Sequence, residues 1–73
     1  MYKVEFDSIT GYKVAIYFNN NLTVNTSEKT DYNGKVVGTE VYVMDGNHNN
    51  GGWKVNHTYE EVISLIDAAI KGN

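Results

Sequence analysis

The chain opens on alternation. Tyr2, Val4 and Phe6 share one side of an extended segment and Lys3 and Glu5 the other, which predicts a strand over residues 2–7 with one buried face. Turn-forming residues at 7–11 return the chain into a second alternating run over 12–18. There Tyr12, Val14, Ile16 and Phe18 face one way and Lys13, Ala15 and Tyr17 the other. Both runs are β-branched and aromatic and lie close in sequence, so a hairpin is expected. The asparagines at 19–21 supply a turn, and a short third strand over 22–26 turns Leu22, Val24 and Thr26 inward. From 27 to 38 the alternation dissolves around Asn33-Gly34, a turn signal of the type I′ class. This stretch reads as a long hairpin loop or an irregular edge.

A fourth strand is predicted over 39–45, with Val41 and Val43 toward a core and Glu40, Tyr42 and Met44 away from it. Residues 46–52 carry no side chain that would anchor a core, and their glycines read as a mobile loop. A fifth strand over 53–56 places Trp53 and Val55 on one face. The helix at 59–71 has the clearest signature. Thr58 and Glu61 have capping-box spacing, Glu60 and Glu61 place negative charge in the first turn, Lys71 lies in the last turn, and Gly72 falls at the expected C′ position. Val62, Ile63, Leu65, Ile66, Ala69 and Ile70 form a wide apolar stripe. That stripe is expected to lie over Val14, Ile16, Val41, Val43 and Trp53. The predicted class is α+β: an antiparallel sheet of four to five strands on one C-terminal helix, in two layers, as a single domain over 1–73.

Size changes this picture. A chain of 73 residues buries only about 60% of its unfolded surface, the marginal range for a lone domain. There is no cysteine, so disulfides and thiolate metal sites are both excluded. A domain this small without covalent staples relies on close packing or on a second subunit. Six lysines, no arginine and nine carboxylates leave a net charge of -3. No apolar run is long enough to cross a membrane and no basic-then-apolar leader opens the chain, so the expectation is a cytoplasmic protein with no membrane partner.

Candidate chemistry is sparse. The run Asp45-Gly46-Asn47-His48-Asn49 has the spacing of the first ligands of a calcium loop. Asn50 and Asn56 then stand where that loop needs a glycine and a bidentate glutamate. His48 and His57 are half a zinc site at most, and His57 is better read as packing beside the helix cap. Ser8, Ser27 and Ser64 lack a nucleophile-elbow context, and Glu60 and Glu61 are helical neighbours rather than a facing pair. Gly46, Gly51 and Gly52 precede a strand, unlike a phosphate loop. The expectation is a non-enzymatic protein with no metal and no cofactor.

The outward residues are more informative. Ala15, Tyr17, Tyr42 and Met44, aligned across neighbouring strands and flanked by Lys13 and Lys54, would form a patch suited to a second copy or another protein. The edge at 27–37 offers strand addition instead. Aromatics with lysines also suggest a weak single-stranded nucleic-acid binder, against which stand the missing arginines and the negative net charge. The discriminating feature is whether lysines gather around the tyrosines or are interrupted by Glu40.

Two segments carry a family resemblance. Residues 11–19 (GYKVAIYFN) with Leu22-Thr23-Val24, and Trp53-Lys54-Val55 with residues 59–66 (YEEVISLI), resemble the opening and closing parts of the small FlbD-like proteins of flagellar operons, over about a third of the chain. The strand through Phe6 and the segment at 46–52 depart from that pattern. The resemblance implies a small bacterial or phage accessory protein, like the many prophage proteins of unassigned function, and carries over no catalytic or ligand residue. From the residues themselves, a self-associating protein-interaction or structural protein, a homodimer, is the expected role.

Overall fold

The computed structural model describes residues 1–46 and 48–72, and gives five antiparallel strands followed by one helix. β1 (Tyr2–Asp7) and β2 (Lys13–Phe18) make a two-stranded sheet in which Val4 faces Ile16 and Phe6 faces Val14. β3 (Thr23–Thr30), β4 (Val36–Asp45) and β5 (His48–Val55) make a three-stranded sheet in that order. α1 (Tyr59–Lys71) closes the described fold. Val4, Phe6, Val14, Ile16 and Phe18 from the first sheet meet Val41, Val43 and Val55 from the second and Val62 from the helix in one buried cluster. The fold is two-layer α+β, with its strands divided between two antiparallel sheets.

The division arises at the β1–β2 turn. Ser8 accepts from the Gly11 amide at 3.0 Å and donates its own amide to Tyr12 at 2.8 Å, closing a tight loop that Gly11 completes at φ 95°. The same turn is tied to β5. The Ile9 amide donates to the Lys54 carbonyl at 3.1 Å and the Asn56 amide to the Asp7 carbonyl at 2.7 Å, beside a single bridge between Ser8 and Val55. The hairpin therefore meets the end of β5 at a corner instead of pairing along its length. Tyr12, predicted inside the second strand, closes this turn with its backbone and leaves its ring exposed.

Two segments differ from the sequence expectation. The region beyond residue 26 is strand: β3 continues to Thr30 and pairs with a β4 that starts at Val36. An edge strand needs only backbone pairing, and this one carries polar residues on both faces, so no alternation announces it. The turn between them is not type I′, because only Gly34 takes a positive φ (82°). It is built on Asp31, whose carboxylate accepts from the amides of Asn33 at 2.9 Å and Lys35 at 3.0 Å.

The glycine-rich stretch expected to be a loop over 46–52 is strand from His48 onward, with Asp45 facing His48. Tyr42 stands opposite Gly52, and a Cβ at Gly52 would come within 2.5 Å of that ring. Trp53 covers Gly51 in the same way, at 3.2 Å. Aromatic rings thus occupy the space that the glycines leave, which holds a sequence of low strand propensity in the sheet.

α1 starts as predicted. Thr58 Oγ1 accepts from the Glu61 amide at 3.2 Å and Glu61 Oε1 accepts from the Thr58 amide at 2.8 Å. Its end differs: Gly72 is the C-cap in right-handed conformation (φ -72°), its amide donating to the Ala68 carbonyl at 2.8 Å, so no left-handed cap forms. The principal neighbours of α1 are β1 and β3, not the expected strip from Val14 to Trp53. Val62 is fully buried, Ile66 and Ala69 pack on the core, and Leu65 and Ile70 remain exposed, a narrower contact than the apolar stripe suggested.

Candidate functional site

The corner between β1, β5 and α1 is fixed by His57. Its Nε2 accepts from the Asp7 backbone amide at 3.0 Å, its ring lies 5.9 Å from that of Phe6, and its carbonyl accepts from Thr39 Oγ1 at 2.8 Å. One residue thereby holds the end of β1, the start of β4 and the helix cap together. The Asp7 carboxylate faces outward to the Lys13 ammonium at 2.7 Å. That contact holds Asp7 below the usual aspartate range and raises Lys13 above the usual lysine range.

Thr39, Val55 and His57 form the floor of a groove of about 450 Å³. Its walls are the β1–β2 turn, the start of β4 and the first turn of α1. They present Ile9 at 55% exposure, Val36 at 49%, Val37 at 53% and Tyr59 at 38%. Glu28, Glu60 and Glu61 complete the rim, and no lysine lines it among the described residues. Glu61 is held below the usual glutamate range chiefly by the Thr58 backbone amide, so it carries its charge firmly. A second hollow, of about 460 Å³, shares His57, Glu60 and Glu61 and continues to Ser64 and Leu65. Two neighbouring depressions, the first of mixed and the second of mainly apolar lining, therefore share His57, Glu60 and Glu61 at the helix start.

Three polar groups of the groove have structural partners. Thr39 Oγ1 is bound to His57, His57 Nε2 to Asp7, and Glu61 to the cap.

The residues singled out from sequence fall on two different sheets. Lys13, Ala15 and Tyr17 lie on the outer face of the hairpin, opposite Asp7, Glu5 and Lys3. Tyr42, Met44 and Lys54 lie on the outer face of the three-stranded sheet. The two sheets pair separately and share one core. Tyr17 is exposed with the Lys3 ammonium 5.9 Å from its ring. Tyr42 is engaged within its own sheet, where its ring covers Gly52 and its hydroxyl donates to Glu40. Glu40 also binds Lys29 at 2.9 Å and sits opposite Lys54, so an acid does interrupt the lysines there. The Tyr42 hydroxyl first and Lys29 second hold Glu40 below the usual glutamate range. Met44 is half-buried opposite Thr23, and Lys54 is exposed.

Sequence reasoning passed over the groove-forming residues, although signals were present. Ile9 is an apolar residue inside a polar turn, and Val36-Val37 is an adjacent pair of which alternation can bury only one. Both valines are exposed. In the calcium-like run, Asp45 and His48 face one another across the β4–β5 turn, while Asn47 lies outside the described residues. No three His, Asp or Glu side chains gather in metal-holding geometry among the described residues. No described helix is long and apolar enough to cross a membrane. Comparison of the chain with protein-family models, curated proteins and solved structures returns no match.

Proposed function

We propose that this chain is a small non-enzymatic protein-interaction domain, of the kind that serves as a bacterial or phage accessory protein, and that it self-associates as part of that role. The observation that carries the interaction reading is the grouping of Ile9, Val36, Val37 and Tyr59, all exposed, around one groove. Scattered apolar residues are ordinary on a surface, but convergence on a concave site with a hydrogen-bonded floor is the anatomy of a docking surface. The non-enzymatic part is supported by the structural engagement of Thr39, His57 and Glu61 described above. A nucleic-acid role draws less support, because Lys3, Lys13 and Lys29 each lie within 4 Å of a carboxylate.

Peptide-display selection against the wild-type chain and a Val36→Ser/Val37→Ser variant tests this. Both positions are exposed, so the variant keeps the fold. Sequences enriched on the wild type and lost on the variant are expected. Equal enrichment on both, or none on either, overturns the groove as an interaction site.

A further inference from the structure

The two hollows and the glutamates they share specify more than an apolar contact. From the groove side come Ile9, Val37 and Tyr59, and from the far side Leu65. Between them Glu60 and Glu61 line both depressions, and Glu28 adds a third carboxylate on the groove rim. We propose that this surface docks a partner segment with an apolar–basic–apolar pattern, its lysine or arginine side chains meeting these glutamates while apolar side chains enter the two hollows. The proposal rests on the protein-interaction reading and adds the chemistry of the partner.

Charge complementarity selects this occupant over a second copy. A two-fold contact places the same patch on both sides of an interface. Here it would bring the carboxylates of Glu28, Glu60 and Glu61 toward those of the other copy with no lysine from the site to answer them, and like charges in contact oppose association. A basic segment meets the opposite situation. The floor is held by the Thr39–His57 and His57–Asp7 hydrogen bonds, so the site needs little rearrangement to receive it.

The test uses three short fluorescein-labelled peptides of identical apolar sequence, with Lys-Lys, Gln-Gln or Glu-Glu between leucine- and valine-containing arms. Anisotropy measures affinity and amide shifts in ¹⁵N-labelled protein locate the contact. The Lys-Lys peptide is expected to bind at least about tenfold tighter than the Glu-Glu peptide, and to weaken as salt rises. Its shifts should fall on Ile9, Val37 and Tyr59 and also on Leu65. Glu60→Gln, which leaves the Thr58–Glu61 cap intact, is expected to weaken it by about 2- to 5-fold.

Equal binding of all three peptides overturns the basic partner and leaves the interaction reading standing. Binding of none, while displayed sequences still depend on Val36 and Val37, has the same meaning. Sedimentation equilibrium showing a dimer that Val36→Ser/Val37→Ser dissociates overturns the proposal in favour of a second copy in the groove.

Discussion

His57 shows how much one side chain fixes in a chain this small. Its ring reaches an amide 50 positions away, and it does so as an acceptor, which requires an unprotonated Nε2. Replacing it with alanine leaves the Asp7 amide without that partner and opens space beside Phe6. His57→Ala is expected to lower stability by about 1–3 kcal/mol, read from the urea midpoint. Faster exchange of the Asp7 amide should accompany the loss, and an unchanged midpoint with an unchanged Asp7 amide would contradict the role. Nothing local in the sequence announces this contact. The capping box beside it was legible because both partners lie within four residues. A bond spanning most of the chain leaves no spacing to read.

Legibility followed one-sided burial at the scale of elements. β1, β2, the core of β4 and α1 each bury one face more deeply than the other, so their periodicities are written into the residue order. The far end of β3 is polar on both faces and gave no signal, and β5 was obscured by glycines whose space is filled from elsewhere. Tyr17 and Tyr42 share an outward parity, but parity does not reveal that their strands belong to different sheets.

The Tyr42–Gly52 pair makes the glycine argument testable. Gly52→Ala is expected to displace the Tyr42 ring, disturb its contact with Glu40, and cost on the order of 1–2 kcal/mol. Gly38, which has nothing within 4 Å of an added Cβ, is the control, and Gly38→Ala should change stability much less. Equal effects at the two positions would show that Gly52 is not covered in solution.

The whole molecule is more open than its mass requires. Its surface is 5002 Å², whereas the scaling for monomers gives about 4,500 Å² at this size. Its radius of gyration is 12.3 Å, against about 11 Å for a compact chain of this length. The excess fits a domain with an open groove on its surface.

Stability of the whole chain should also carry the signature of its cross-strand ion pairs. Asp7 and Glu40 are lowered on folding, so their stabilising contribution is complete above their unfolded values and is lost as the pH falls through the folded ones. Lys13 and Lys29 are raised, so theirs is complete below the unfolded lysine value and is lost as the pH climbs through the folded one. Urea unfolding across pH should therefore show a plateau between about pH 5 and 9, with a decline at each end. Lys13→Met should shallow both declines, at low salt most visibly because the pair is exposed. An acid limb unaltered by that change would remove Asp7–Lys13 from the account.

The corner that ties the β1–β2 turn to the end of β5 has a kinetic consequence. Each sheet is assembled from strands adjacent in the chain, so both can form by short loop closures. The seam between them must instead join Asp7 to Asn56 and His57, 50 positions apart in the case of His57. Closing so long a loop comes at an entropic disadvantage that local pairing avoids, and such contacts set the pace of folding. Val55, His57 and the helix cap belong to that seam, and they also line the groove. Partly folded chains with both sheets formed would lack a competent docking surface, so binding there would report that folding has run to completion.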